Sequence, residues 1–196
     1  MNTRTIIAVV LAAVAYFAIG AAWYNLFSAE WLAGIGKTAL VEHFTSAQTT
    51  GTRVWWGACD ALFAPRPLGP LHDMAPQMQG AIPALLDAPD QRSTLYSTLL
   101  VELQNRPTLV VIEDVHWIDE ATLDLLRYLS RRIARTSALI VLTYRDDEWA
   151  STHPVRAAIE TLAAAPECRR IALAPLSADA VRTMVGPRTM DSTALY

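Results

Sequence analysis

The pattern of apolar and polar positions divides the chain into two unlike parts. Residues 5–29 contain no charged side chain, whereas after Glu30 short apolar runs alternate with segments whose apolar residues recur at helical spacing. A helix rises about 1.5 Å per residue, so an uncharged run of this length exceeds the roughly 30 Å core of a bilayer. We therefore predict a transmembrane helix in residues 1–30 and a globular domain over residues 31–196.

The ends of the apolar segment support a membrane helix. Trp23 and Tyr24 lie near its end, where amphipathic rings settle at the headgroup level, and Arg4 flanks its start. A buried core helix and a cleaved signal peptide are the alternatives. The stretch "GAAWYNLF" after an alanine-rich helix resembles the opening of a small bacterial membrane-protein family of unknown function, which implies a membrane anchor.

The second part of the chain predicts an α/β fold. Apolar runs typical of buried strands alternate with amphipathic helices, the order that produces a mostly parallel sheet flanked by helices. The predicted strands are 53–60, 108–114, 138–145 and 169–176, and the predicted helices are 95–104, 119–134, 154–164 and a short helix capped by Ser177. Prolines recur over residues 64–90, so this stretch predicts a long surface loop with short helical turns.

Composition narrows the classes of function. The 16 Lys and Arg residues are scattered and are outnumbered by 19 Asp and Glu. Without a basic stripe, this chain is not expected to bind nucleic acid directly. Cys59 and Cys168 lie far apart and outside any metal-ligand spacing, which favours two free thiols over a zinc site or a disulfide framework.

The candidate chemistry begins with the stretch "GIGKTALV". Gly36, Lys37 and Thr38 form the GK[ST] end of a phosphate-binding loop that opens a helix. Such a loop needs small residues so that backbone N–H groups approach phosphate, a lysine for the terminal phosphates, and a hydroxyl for Mg²⁺. At the first glycine of the full GxxxxGK[ST] pattern, however, the chain has Trp31, and a large side chain is disfavoured there by about 1–2 kcal/mol or more.

Two more signals lie at the ends of predicted strands. Glu113 and Asp114 end the strand "TLVVIED", where a parallel sheet places its ligands, and they can hold Mg²⁺ or polarise a water molecule. Arg145 ends the strand "ALIVLTYR" and can offer a guanidinium to a phosphate at the same edge. Taken singly, these residues have ordinary explanations as capping acids or a surface salt bridge. Their order and spacing make the set specific.

Together these motifs resemble the ATPase domain of the large LuxR-type transcriptional regulators, within the AAA/STAND-type P-loop NTPases. The resemblance runs from Gly34 to about Val185 and rests on "AGIGKTALVE", "WGACDALFAPRPLGPLHD", "VVIEDVHWIDEATLDLLRYL", "VLTYRDDE" and "LAPLSADAV". It implies ATP and Mg²⁺ as the ligands of the domain. The implied nucleotide-binding residues are Gly34, Ile35, Gly36, Lys37, Thr38 and Ala39.

The same resemblance implies roles around the metal. The implied Mg²⁺ residues are Thr38, Glu113 and Asp114. One of the two acids would lie on the metal side and the other would orient water, and the sequence leaves open which does which. Arg145 would sense the γ-phosphate and complete the catalytic set with the two acids. His116 and Trp117 match the "HW" that follows the acids in this class, where a structural or sensing role is implied and core packing of Trp117 is the alternative.

The chain departs from that family at both ends. In the family a buried strand, flanked on both sides by other strands, precedes the phosphate loop, and here the apolar segment takes its place in the sequence. The expected fold is therefore an incomplete P-loop NTPase-like sheet, without its first strand and its lid. Either the sheet has a defect at its centre, or the N-terminal apolar segment covers it. A chimeric gene joined near residues 28–33 would explain the change in character.

These observations predict a truncated ATP-binding domain of a LuxR-type regulator, with weak binding and little turnover. We expect a membrane-anchored chain whose ATPase domain lies in the cytoplasm, or a wholly cytoplasmic one. The competing explanations are a small membrane-anchored protein with a degenerate ATPase remnant and a non-functional gene remnant.

Overall fold

The computed structural model describes residues 6–12, 37–48, 51–62, 64–145 and 154–173. The strands are β1 (Ile6–Ala12), β2 (Arg53–Ala58), β3 (Thr108–Glu113), β4 (Ala138–Arg145) and β5 (Cys168–Leu173). The helices are α1 (Lys37–Ser46), α2 (Gly69–Met74), α3 (Ile82–Leu86), α4 (Arg92–Asn105), α5 (Glu120–Ser130) and α6 (Pro154–Ala163). Short 3₁₀ turns lie at Ala75–Gln77, Pro89–Gln91, Val115–Trp117 and Ile133–Arg135.

The five strands form one sheet in the order β2-β3-β4-β1-β5. β2, β3 and β4 are parallel, with Trp56 of β2 opposite Val111 of β3. β1 runs antiparallel to both of its neighbours, so that Val9 lies opposite Leu142 of β4 and Arg170 of β5. The three parallel strands end at the same edge of the sheet, which is where α/β folds of this kind place their ligands.

Most of the predicted elements of the second part are confirmed. The four strands predicted after residue 50 correspond to β2–β5, and the helices predicted at 95–104, 119–134 and 154–164 correspond to α4, α5 and α6. The proline-rich stretch over residues 64–90 contains α2, α3 and short 3₁₀ turns, as expected of a loop with helical turns. The helix predicted after Ser177 lies outside the described residues.

β1 corrects part of the membrane-helix prediction. A helix from Thr5 to Ala29 is wrong for Ile6–Ala12, which pairs on both sides within the sheet. The run "IIAVVLA" is rich in β-branched residues, and β4 and β5 supply partners for its backbone groups, so pairing overrides the helical expectation. Residues 13–29 lie outside the described residues. None of the helices described in this chain is long and apolar enough to cross a membrane.

β1 also fills the position in the sheet that the sequence left unassigned. It lies between β4 and β5, so Ile6–Ala12 of the apolar segment close the expected gap, which was one of the two alternatives. The direction differs from that of a strand that precedes a phosphate loop. Ala12 lies opposite Leu139, where the parallel strands begin, whereas Thr38 in α1 contacts Glu113, where they end. β1 therefore does not lead directly into α1 as the strand of a phosphate loop would.

Helices cover both faces of the sheet. On one face, strand residues such as Ile112 pack with residues of the helices after β2, including Leu126 of α5, in a large buried cluster. On the other face, Val41 and Phe44 of α1 pack on a smaller cluster that includes Val111. Because successive strand residues point to opposite faces, the even-numbered residues of β3 face the large cluster and the odd-numbered ones face α1.

Two contacts hold the loop after β2 against the sheet. Gly57 lets α2 lie directly on β2, since a Cβ at this position would come 2.2 Å from the carbonyl oxygen of Pro70. Asp119 caps α5, and its Oδ1 accepts hydrogen bonds from the backbone N of Thr122 at 2.9 Å and from the backbone N of Leu68 at 3.0 Å. The cap of α5 thus also fixes the start of α2, beside the edge where β2 and β3 end.

Candidate functional site

The structure brings Thr38 and Glu113 into direct contact. α1 begins at Lys37, so Thr38 lies in its first turn, and Glu113 ends β3 on the face that α1 covers. The Thr38 hydroxyl donates a 3.0 Å hydrogen bond to Oε1 of Glu113. A hydroxyl has one proton and two lone pairs. When its proton points at a carboxylate, its lone pairs remain available to a cation beside both groups.

The other oxygen of Glu113 is held by Trp56, which the sequence did not single out as a site residue. Nε1 of Trp56 donates a 2.9 Å hydrogen bond to Oε2 of Glu113. Ala58 lies opposite Glu113 in the β2–β3 register, so Trp56 is the diagonal neighbour on the same face. No motif or spacing signals this contact, because it depends on the register between two strands.

Asp114 has different surroundings from Glu113. Its backbone is left-handed, with φ 52° and ψ 44°, and its N–H donates a 3.2 Å hydrogen bond to Oγ1 of Thr143. Its Oδ1 lies 3.9 Å from Nδ1 of His116, whose side chain is buried. The turn at Asp114 therefore separates the two neighbouring acids, since each carboxylate has its own set of partners.

His116 and Trp117 also differ from each other. His116 is buried, whereas Trp117 is 45% exposed. The interpretation of Trp117 as a core-packing residue is therefore wrong. The two rings lie 5.2 Å apart between centroids and are tilted, so the exposed indole rests against the buried imidazole.

Of the remaining predicted site residues, three are described and three lie outside the described residues. Arg145 is exposed at the end of β4, on the same sheet edge as the two acids. Lys37 and Ala39 lie in the first turn of α1. The predicted loop residues Gly34, Ile35 and Gly36 lie outside the described residues. The structure thus places Thr38, Glu113, Asp114 and Arg145 along one edge, and joins the first two by a contact.

Cys59 also lies at this edge, and its thiol is buried. Its backbone N–H donates a 2.9 Å hydrogen bond to the carbonyl oxygen of Glu113. Burial, followed by the negative charges of Asp119 and Asp114, raises the pKa of its thiol far above the ordinary value. Because the thiolate is the reactive form, these surroundings disfavour reaction at the Cys59 thiol. Both cysteines are free, as predicted, and both are buried.

A separate cavity lies between α5 and α6. Its volume is about 500 Å³, and its lining includes Arg127, Arg131, Thr161 and Leu162. None of the predicted site residues lines this cavity. The candidate site is therefore the sheet edge around Glu113 and not this cavity.

A family match decides the assignment of the chain. The family model described as AAA ATPase domain matches residues 32–143, more than half of the 196 residues. The chain belongs to the AAA ATPase domain family. The matched range contains Thr38, Trp56, Glu113 and Asp114, and Arg145 lies just beyond it. No curated protein and no solved structure matches the chain.

The family and the fold agree at the level of architecture. The AAA ATPase domain has a three-stranded parallel sheet, β2 to β4, flanked by helices, so the predicted P-loop NTPase-like α/β fold is confirmed to this extent. The likeness to LuxR-type regulators and that of the first thirty residues to a membrane-protein family stay predictions.

Proposed function

We propose that this AAA ATPase domain binds ATP with Mg²⁺ at the edge of the sheet where β3 ends. The observation that carries the proposal is the 3.0 Å hydrogen bond from Thr38 to Glu113. In P-loop NTPases the loop hydroxyl and an acidic residue at the end of a neighbouring strand hold the same Mg²⁺. A direct contact between these two groups is the geometry that such sharing requires.

The composition of the site favours a phosphate-bound metal. Within the described residues, no group of three or more His, Cys, Asp or Glu side chains could hold a metal ion by itself. Mg²⁺ usually keeps several waters and binds through one or two carboxylates together with substrate phosphates. When bound, Mg²⁺ would neutralise charge on the terminal phosphates. Thr38 and Glu113 are a fitting pair for that mode of binding.

We propose that the start of α1 binds the phosphates of ATP. The backbone N–H groups of a helix N-terminus and its positive dipole end favour anions. We assign Lys37 to the terminal phosphates and Gly34, Ile35, Gly36 and Ala39 to close backbone approach.

The surroundings of the two acids support different roles for them. Glu113 contacts Thr38 and is assigned to the metal side. Asp114 turns away in a left-handed conformation beside His116, and we assign it to the attacking water. Arg145, at the end of the next strand, is assigned to the γ-phosphate.

At a finer level, we propose that the domain is the nucleotide switch of a LuxR-type regulator. The support is the stretch "WGACDALFAPRPLGPLHD", which forms the end of β2, the loop and α2. Its Gly57 lies under Pro70, and the backbone N–H of its Leu68 donates a hydrogen bond to the side chain of Asp119. These residues connect the loop to the helix that follows the acids, as expected of a segment that responds to the nucleotide.

Protection of Lys37 from an amine reagent tests the proposal in the full chain. Lys37 is the only lysine in the sequence, so labelling followed by mass spectrometry reports on this side chain and the α-amino group alone. We expect Mg·ATP to slow labelling of Lys37 and to leave the α-amino group unchanged. Binding of a fluorescent ATP analogue should be abolished by Lys37→Ala and strengthened by Trp31→Gly.

The metal pair is tested by matched variants. Thr38→Ala and Glu113→Gln should weaken binding at least tenfold when Mg²⁺ is present, since the first removes a hydrogen bond to a charged group and the second removes the charge. Thr45→Ala and Glu42→Gln change the same residue types elsewhere on α1 and should bind as the wild type does. The proposal is overturned if millimolar Mg·ATP neither binds to the wild type nor protects Lys37.

A further inference from the structure

We infer that Trp56 is a positioning residue for the metal site, because its indole N–H holds the Glu113 carboxylate in place. This inference rests on the proposed function. Its basis is that both carboxylate oxygens of Glu113 have a donor, Thr38 Oγ1 at 3.0 Å on Oε1 and Trp56 Nε1 at 2.9 Å on Oε2. Two donors on two oxygens fix the plane of the carboxylate as well as its position.

A glutamate needs such a support more than an aspartate does. In P-loop NTPases the strand-end acid on the metal is an aspartate. Glu113 has one more methylene and therefore one more rotatable bond. Each added torsion has several staggered wells, so an unsupported Glu113 would spread its carboxylate over several positions. The hydrogen bond from Trp56 selects the position that meets Thr38.

The indole suits this role in two ways. It is half-buried and packs against the cluster formed by Val41, Phe44 and the strand residues under α1, so its ring is held by packing. Indole Nε1–H is a donor only, so it cannot compete with Glu113 for a cation. With Oε2 on Trp56, Oε1 is the oxygen that faces Thr38 and the proposed metal.

Trp56→Phe tests the inference by keeping an aromatic ring and removing the N–H. We expect the Mg²⁺ concentration for half-maximal ATP binding to rise about tenfold, the effect of losing a hydrogen bond to a charged group. ATP binding in the presence of a chelator should not change. Trp55→Phe is the matched control, because Trp55 precedes Trp56 in β2 and faces the opposite side of the sheet. It should leave the Mg²⁺ requirement unchanged.

A double-mutant cycle shows whether Trp56 acts through Glu113. In the Glu113→Gln background, Trp56→Phe should have no further effect on the Mg²⁺ requirement, since the charged acceptor is already lost. A second readout does not depend on the folding of Trp56→Phe. A nuclear magnetic resonance spectrum shows the indole N–H signals of the six tryptophans. Glu113→Gln should move one of them, that of Trp56, upfield.

The outcomes separate this inference from the proposed function. If Mg·ATP protects Lys37 in the wild type but folded Trp56→Phe has an Mg²⁺ requirement within twofold of it, the role of Trp56 is overturned and the ATP site stands. An unmoved indole signal in Glu113→Gln overturns the role in the same way. If Mg·ATP neither binds to the wild type nor protects Lys37, both fail.

Discussion

At the scale of single residues, Asp114 combines a backbone requirement with a proposed chemical role. Its left-handed conformation ends β3 and starts the 3₁₀ turn that buries His116. Such a conformation is disfavoured for most residues with a Cβ, and Asn, Asp and Gly adopt it most readily. The identity of this residue is therefore constrained by the fold, independently of any nucleotide.

Substitution of Asp114 separates these two constraints. We expect Asp114→Asn and Asp114→Gly to unfold at nearly the same denaturant concentration as the wild type. Asp114→Val should lower the free energy of unfolding by about 1–2 kcal/mol, the cost of a left-handed conformation for such a residue. Chemical denaturation measures this difference. If the valine and asparagine variants are equally stable, the turn is not left-handed in solution.

The asparagine variant then tests the chemistry on an intact fold. Under the proposed assignment, Asp114→Asn keeps Mg·ATP binding and loses ATP hydrolysis, because an amide does not accept the proton of the attacking water. Unchanged hydrolysis in this variant would contradict the assignment of Asp114 to the water.

At the scale of elements, the close packing of α2 on β2 explains the glycine in the "WGACD" stretch. The backbone of Pro70 occupies the space where a side chain at residue 57 would lie. The surrounding atoms belong to main chain, which cannot move aside as the end of a flexible side chain can. The position of α2 beside the site thus depends on a missing Cβ.

Gly57→Ala should destabilise the domain by about 1–3 kcal/mol, the usual cost of overpacking a well-packed interior. Gly69→Ala is the matched control, because a Cβ at residue 69 would meet nothing within 4 Å. At the start of α2 this change should be neutral or stabilising by up to about 1 kcal/mol. Thermal unfolding measures the change in stability of both variants. Equal changes would show that α2 does not pack closely on β2 at residue 57.

At the scale of the whole molecule, β1 connects two parts of the sheet. It pairs with β4 along Ile6–Ala12 and with β5 along most of the same length. Ile6–Ala12 of the apolar segment therefore form part of the domain, and β5 is joined to the sheet only through β1 among the described strands.

Hydrogen exchange tests this arrangement. Peptides that cover Ile6–Ala12 should exchange as slowly as those of β4, and much more slowly than the exposed stretch 60–62. Val9→Pro removes a ladder donor from a strand that is paired on both sides, so it should speed exchange in β1 and β5 and affect β2, at the far edge, least. Fast exchange of Ile6–Ala12 in the wild type, or an unchanged β5 in the variant, would contradict the position of β1 between β4 and β5.

The chain sequence by itself determined the elements from β2 to β5, because their periodicity and their turn residues are local properties. It also determined the candidate residues Thr38, Glu113, Asp114 and Arg145, since the phosphate-loop motif and the strand-end acids can be recognised by spacing. Only the tertiary structure decided that Ile6–Ala12 is a strand. An uncharged apolar run is compatible with a membrane helix and with a strand paired on both sides until the partners of its backbone are known. The contact of Trp56 with Glu113 was likewise decided in three dimensions, because strand register is a relation between segments that are distant along the chain.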